Sequence, residues 1–155
     1  LMMREARTLL KFSCEVYKLQ HAEGRVFLHE HLTSAKSWEE DAIKQVQNLP
    51  GVRRVMLDMC RFNLKVKTTD GEKLVRKPTT LLTNSKIMAD CLSKRCNGAH
   101  EHHPLKGGSL CNQAAIYSKE FCISPLKSLS LHLSNVNSSY GLSPFIDYQK
   151  LWGEN

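Results

Sequence analysis

The chain has 155 residues, of which 41% are hydrophobic and 24% are charged, a balance that is typical of one folded domain and excludes disorder of the whole. No apolar run reaches the roughly 18 residues of a membrane span and no signal-peptide pattern opens the chain, so we expect an intracellular protein, in cytoplasm or nucleus, with no membrane partner. Its six cysteines are then expected to be reduced thiols or metal ligands. Because the chain begins with Leu1, we interpret it as a segment of something longer.

The positive charge is concentrated in one region. Lys and Arg number 22 against 15 Asp and Glu, a net charge of +7. Residues 61–106 alone contain ten basic and four acidic side chains. A concentrated basic surface attracts phosphates, so nucleic acid is the first partner to consider. The residues predicted to contact it are Lys65, Lys67, Lys73, Arg76 and Lys77. The alternative is a solvated hairpin whose lysines only keep an edge strand soluble.

The first part of the chain alternates helix and strand patterns. Apolar residues at three-and-four spacing predict an amphipathic helix over residues 3–21, and the run 25–30 predicts a buried strand. Ser37-Trp38-Glu39-Glu40 has the pattern of a capping box and predicts a helix that ends before Pro50. Residues 52–58 predict a second strand. This alternation favours a parallel sheet in which the two strands lie side by side.

The middle of the chain changes character. Residues 62–68 and 73–77 alternate polar and apolar side chains around Asp70-Gly71, which predicts an antiparallel hairpin. Residues 79–83 form a further β-prone run, and Asn84 or Ser85 is expected to cap the helix that follows.

The C-terminal third divides into a loop, a short helix and a tail. Residues 96–111 are rich in Gly, His and Cys and predict a loop, and residues 113–122 predict a helix. From Ser124 the chain is Ser-rich with little periodicity. We therefore predict a partial α/β domain over residues 1–123 and a poorly ordered tail over residues 124–155.

The loop also provides candidate metal ligands. Thiols and imidazoles occur in the order Cys91-x4-Cys96-x3-His100-Glu101-His102-His103. Thiolate and imidazole are the ligands that tetrahedral zinc prefers, so we predict Cys96, His100 and His102 as zinc ligands with a fourth undecided, Cys60 and Cys111 being the distant candidates. Cys91 is expected in the core, because a step of five positions along a helix places it on a different face from Cys96. The alternative is an exposed His-rich turn without metal.

Acidic residues at strand ends are candidates for catalysis. Glu30 closes the first predicted strand between His29 and His31, and Asp58 closes the second. In an open α/β sheet this edge is where ligands gather, so Glu30 is the candidate catalytic carboxylate, and a paired-carboxylate nuclease with Asp58 stays open. The alternative is that Glu30 only pairs with His29 or an arginine.

The order of several short motifs over residues 5–122 carries a family resemblance. They are Phe27-Leu28-His29-Glu30-His31, Ser37-Trp38, Asp58-x-Cys60, Lys77-Pro78-Thr79, Leu82-Thr83-Asn84, Cys96-x3-His100-x-His102, Gly107 and Tyr117 with Cys122. This succession resembles a domain of retroelement (retrotransposon) polyproteins, which in turn is similar to the C-terminal half of phage-type DNA (cytosine-5) methyltransferase catalytic domains.

The resemblance implies a partial Rossmann-like, methyltransferase-like fold with a parallel sheet and an antiparallel hairpin. It implies that Glu30 binds the target cytosine and assists protonation of its ring, although His31 and Leu32 stand where the family's motif has Asn and Pro. The Gly-rich turn that holds S-adenosylmethionine and the Pro-Cys nucleophile loop are both absent from the chain. No cofactor-binding residue is therefore assigned, and S-adenosylmethionine is expected only if the missing N-terminal half joins as a partner.

Two functional hypotheses follow. The first is a fragment of a mobile-element polyprotein with a degenerate DNA-methyltransferase-like domain that is inactive alone. The second is a zinc-stabilised basic module that binds nucleic acid. Stoichiometric zinc whose removal unfolds the chain favours the second hypothesis.

Overall fold

The computed structural model describes residues 2–139, with the side chain of Met2 excepted. The helices are α1 (Met2–Ala22), α2 (Asp41–Gln47), α3 (Lys86–Leu92), α4 (Gly108–Gln113) and α5 (Lys119–Ser139), with 3₁₀ turns at Lys36–Glu39 and Met59–Phe62. The strands are β1 (Leu28–Leu32), β2 (Arg53–Asp58), β3 (Lys65–Thr68), β4 (Gly71–Leu74) and β5 (Pro78–Thr83). The mixed α/β class is therefore confirmed. Over the described part of the chain, no helix combines the length and hydropathy that crossing a bilayer requires.

The larger sheet has the order β1-β5-β2, and both of its pairings are antiparallel. The predicted parallel, Rossmann-like sheet is not what the structure shows. β1 and β2 do run in the same direction, but β5 lies between them. Five of the six residues of β5 are buried, which explains why this strand takes the centre. Thr83 Oγ1 donates a hydrogen bond of 2.7 Å to the Phe27 carbonyl oxygen, so its buried polar group is satisfied.

Helices cover both faces of this sheet. Successive residues of a strand point to opposite faces, and the fully buried Leu81 and Leu82 accordingly belong to different clusters. The cluster under α1 and α2 comprises Cys14, Phe27, Trp38, Ile43, Val46 and Leu82. The cluster on the other face comprises Leu57, Met59, Phe62, Leu64, Val66, Val75, Leu81, Met88, Leu92, Ala114 and Phe121.

The predicted hairpin is confirmed, with shorter strands. β3 and β4 pair antiparallel, with Thr68 opposite Gly71. Gly71 has φ +100°, a conformation that glycine adopts without steric cost. Val66 is buried in the larger cluster, so the hairpin is anchored to the body of the domain.

The predicted boundary at residue 123 lies inside α5, which runs from Lys119 to Ser139. Phe121 and Ser128 of α5 are buried, and the helix packs against α3. Its serines hydrogen-bond to the helix itself: Ser124 Oγ donates to the Glu120 carbonyl at 2.7 Å. Residues 140–155 of the predicted tail lie outside the described residues.

Candidate metal centre

Four thiol and imidazole side chains converge on one point of the domain. Cys60 comes from the 3₁₀ turn that follows β2, whereas Cys96, His100 and His102 come from the loop between α3 and α4. One donor atom of each residue lies within 4.8 Å of the donor atoms of the other three. Cys60 is buried and the other three are partly exposed. This group could hold a metal ion.

The separations of the donor atoms match a tetrahedral site. Cys96 Sγ lies 3.7 Å from His100 Nε2 and 3.5 Å from His102 Nε2. With Zn–S bonds of about 2.3 Å and Zn–N bonds of about 2.0–2.1 Å, sulfur and nitrogen ligands of a regular tetrahedron stand about 3.6 Å apart. The two imidazole rings are inclined by 75°, with their centroids 4.6 Å apart. The two distances from Cys96 to the imidazole nitrogens are therefore close to the spacing that a tetrahedral ion requires, and the four donor atoms all lie within 4.8 Å of one another.

The loop reaches Cys60 because it is tied to the end of β2. Asp58, which is fully buried, accepts a hydrogen bond from the Cys96 amide at 2.9 Å, and the Asp58 amide donates to the Lys94 carbonyl at 3.0 Å. The far end of the loop is attached to the hairpin, since the His103 amide donates to the Leu74 carbonyl at 2.8 Å. Both ends of the ligand-bearing segment are thus fixed by backbone contacts.

Asp58 is ionised despite its burial. Desolvation alone would raise its pKa, but the Cys96 amide and the guanidinium groups of Arg76 and Arg95 outweigh that effect and hold the pKa below its usual value. Arg76 Nε lies 3.1 Å and Arg95 Nε 3.0 Å from the carboxylate oxygens. One buried negative charge therefore connects β2, the hairpin and the metal-site loop.

The thiols differ in their surroundings. Burial, together with the neighbouring Cys96, raises the pKa of Cys60 to about 11, so that without a cation this group is a neutral thiol. A bound cation displaces the thiol proton, because the thiolate is the form that ligates metal. Cys96 Sγ also accepts a hydrogen bond from the Gly98 amide at 3.3 Å, the kind of contact that stabilises a metal-bound thiolate.

The structure brings the three predicted metal ligands together and supplies the fourth. Cys60 completes the group, whereas Cys111 is exposed and is not a member of it. Cys91, which was expected in the core, is exposed, and its neighbour Leu92 is buried instead. Cys60 joins the other three because Asp58, two residues before it, binds the amide of Cys96.

Glu30 does not lie at a strand end. It occupies the middle of β1, opposite Leu81 of β5, and its carboxylate accepts a hydrogen bond from the Tyr117 hydroxyl. Burial, and then the Glu30 carboxylate, raise the pKa of Tyr117. Asp58 is on β2, on the other side of β5, and pairs with Pro78, three positions before Leu81. The two acids therefore do not form the paired-carboxylate arrangement that stayed open from the sequence.

His29 lies on the opposite face of β1 from Glu30. Its Nδ1 atom is 3.1 Å from the Tyr17 hydroxyl and its ring packs edge-on against Trp38, with centroids 5.3 Å apart. Nε2 is buried, without a hydrogen-bond partner within the described residues. Burial, with a smaller effect from His31, lowers the pKa of His29 to about 4.

This environment predicts a pH dependence of stability. An unfolded chain protonates His29 near its ordinary pKa of 6.5, whereas the folded protein excludes that proton down to about pH 4. The contribution of neutral His29 is therefore complete above pH 6.5 and is lost as the pH falls toward 4. In NMR titration of the imidazole protons, we expect a midpoint at about 4 for His29. A midpoint near 6.5 would contradict the buried environment, and a His29→Leu variant assigns the signal.

The five predicted nucleic-acid contacts do not share one face. Lys65 and Lys67 are exposed on β3 on the same side as Glu72, which lies 3.9 Å from Lys65. The other three residues are an exposed Lys73 opposite Val66, an Arg76 bound to Asp58, and a half-buried Lys77 that donates to the Ala114 carbonyl. Of the five, only the two β3 lysines therefore share a face, and one of them has an acidic neighbour.

Comparison of the chain with protein-family models, with curated proteins and with solved structures finds no match in any of the three. The resemblance to retroelement and methyltransferase domains therefore stays a prediction. The geometry of the donor group is therefore the main evidence on function.

Proposed function

We propose that this chain is a zinc-stabilised basic module that binds nucleic acid. Cys60, Cys96, His100 and His102 hold one structural zinc ion in this proposal. The observation that carries it is the convergence of two thiols and two imidazoles at tetrahedral spacing.

The donor set favours zinc over hard cations. Calcium and magnesium take oxygen ligands, whereas zinc accepts thiolate and imidazole in a tetrahedron. Four protein ligands leave no open position for water or substrate, which is typical of structural rather than catalytic zinc. The residues between α3 and α4 form neither helix nor strand. An ion that joins this loop to Cys60 would stabilise a segment that has few hydrogen bonds of its own.

The charge of the chain supports nucleic acid as the partner. The net charge is +7, and most of the excess is in the segment that contains the hairpin and the metal-site loop. A Cys₂His₂ zinc site adds no net charge, because the two thiolates balance the ion. The basic side chains around it therefore keep their attraction for phosphate, and binding should weaken steeply as salt rises.

The methyltransferase hypothesis has less support. It required the strands 25–30 and 52–58 to be neighbours, and β5 lies between them. Glu30 is engaged by Tyr117 rather than presented at a sheet edge. This hypothesis predicts that the chain alone does not bind S-adenosylmethionine, and clear binding in calorimetry would contradict its premise that the cofactor-binding half is missing.

Metal analysis tests the proposal. We expect one zinc per chain in native mass spectrometry, and cobalt substitution should give the visible spectrum of tetrahedral coordination with thiolate-to-cobalt charge transfer. Removal of zinc by a chelator should lower the melting temperature and disorder the loop between α3 and α4.

The affinity for a DNA duplex should fall steeply between about 50 and 200 mM salt. A chain that folds equally well without metal, or a flat salt response, would contradict the corresponding half of the proposal.

A further inference from the structure

We infer that Arg76 and Arg95, held side by side on the buried carboxylate of Asp58, form a binding site for a phosphate of the nucleic-acid backbone. This inference rests on the proposed function and names the residues that would make the contact. It keeps Arg76 from the prediction made from the sequence, adds Arg95, and leaves out the four predicted lysines.

The guanidinium groups of Arg76 and Arg95 bind the same buried carboxylate. Arg76 donates from Nε at 3.1 Å and from Nη2 at 3.5 Å to the two carboxylate oxygens of Asp58. Arg95 Nε lies 3.0 Å from Asp58 Oδ2. Asp58 is completely buried, whereas the side chains of Arg76 and Arg95 are 47% and 44% exposed. Each guanidinium is thus attached to the domain on one side and open to solvent on the other.

The two arginines keep a positive charge and N–H donors that Asp58 does not use. Two positive groups on one carboxylate leave a net charge of +1 at this position. A guanidinium has five N–H donors in a planar fork, and the contacts with Asp58 use only some of them. The remaining donors can bind a phosphate oxygen pair, for which arginine has the appropriate geometry.

Asp58 also orders both arginine side chains before any anion binds. A lysine on an exposed strand loses most of its rotamer freedom when it binds an anion, and that loss offsets part of the attraction. Arg76 and Arg95 are already ordered by Asp58 in the free protein. Lys65 and Lys67 are exposed on β3, and Lys65 has an acidic neighbour in Glu72 at 3.9 Å. The arginine pair is therefore a better anion site than the pair of lysines on β3.

The site is also coupled to the metal centre. Arg95 directly precedes Cys96, whose amide is bound by the same carboxylate of Asp58. Arg76 follows β4 at the base of the hairpin. Zinc that fixes the loop would therefore also fix the position of Arg95 relative to Arg76.

The test replaces both arginines by lysine, which keeps the charge and the ion pair with Asp58 but removes the forks. We expect the double variant Arg76→Lys, Arg95→Lys to bind a fluorescein-labelled DNA duplex about tenfold more weakly than the wild type, because charge-assisted hydrogen bonds are lost. The matched control is the double variant Arg4→Lys, Arg53→Lys, which changes two exposed arginines on other elements and should bind like the wild type. Zinc content and melting temperature are measured for each protein.

A second measurement does not depend on the variants folding. In the zinc-loaded wild type, the Nε–H NMR signals of Arg76 and Arg95 should shift on titration with the duplex, and inorganic phosphate alone should cause the same shifts only at much higher concentration. Duplex binding with unchanged arginine signals, or with equal affinity in the lysine variant, would overturn this inference alone. If the wild type binds neither a DNA nor an RNA duplex at low salt, the proposed function itself is wrong. Tighter binding of inorganic phosphate than of duplex would overturn the assignment to nucleic acid.

Discussion

Replacing Cys96 by serine should abolish stoichiometric zinc binding and lower the melting temperature by more than about 10 °C. Cys96 Sγ lies 3.7 and 3.5 Å from the imidazole nitrogens of His100 and His102, so the substitution removes the donor atom that lies beside both histidines. Structural zinc contributes about 10–16 kcal/mol of apparent binding energy in small domains. In a chain of this size each kcal/mol corresponds to roughly 2–4 °C, so a loss of about half of that energy already gives the expected change. Thermal unfolding followed by circular dichroism, with zinc analysis, measures both effects.

The control for this change is Cys122→Ser. Cys122 lies on α5, is exposed, and is outside the donor group. Exposed substitutions away from structural contacts usually change stability by less than about 0.5 kcal/mol, so the melting temperature should move by no more than about 2 °C. Equal zinc content and equal melting temperatures in the two variants would show that the Cys96 thiol does not hold the ion.

Local patterns predicted the elements of this fold better than their arrangement. The hairpin was predicted correctly because Asp70-Gly71 specifies its own turn within a few residues. The order of the strands depends on a segment much later in the chain: β5 inserts between β1 and β2 and pairs with both. The alternation of helices and strands near the N-terminus contains no information about that insertion, so the parallel sheet was the wrong inference.

Hydrogen bonds of serine side chains explain two further differences between the predicted and the observed helices. The Ser37 hydroxyl, expected to cap a helix, lies 2.6 Å from His31 Nδ1 instead, and α2 begins later, at Asp41. The Ser-rich composition of α5 predicts disorder, yet Ser128 Oγ donates to the Pro125 carbonyl at 2.9 Å and Ser128 is buried. A serine can satisfy its hydroxyl within its own helix, so a Ser-rich composition does not exclude a packed helix.

The candidate site shows the same division between local and distant information. Cys96, His100 and His102 could be grouped from the sequence because a stretch of seven residues contains all three. Cys60 could not be assigned, since its proximity depends on the tertiary hydrogen bond between Asp58 and the Cys96 amide. The placement of Arg76 and Arg95 on one carboxylate likewise follows from that junction and from no pattern in the sequence.

The second large effect is expected at this junction. Asp58→Asn keeps the shape of the side chain but removes the buried charge that two guanidinium groups share. Removing one partner of a buried ion pair costs about 3–5 kcal/mol. Because Arg76 and Arg95 are 47% and 44% exposed and can be hydrated, we expect the lower end of that range, about 3 kcal/mol in the free energy of unfolding. Urea denaturation of the zinc-loaded protein measures it.

Asp90→Asn is the matched control, because it removes a carboxylate that pairs with Lys86 on the surface of α3. Both side chains are more than half exposed, and such pairs contribute at most about 1 kcal/mol. Zinc affinity separates the two roles of Asp58: if its bond to the Cys96 amide positions the ligand loop, Asp58→Asn should also weaken zinc binding about 10- to 100-fold, as loss of a residue that orients a metal ligand typically does. Lower stability with unchanged zinc affinity would restrict Asp58 to joining the hairpin to β2, whereas equal effects of the two substitutions would contradict both roles.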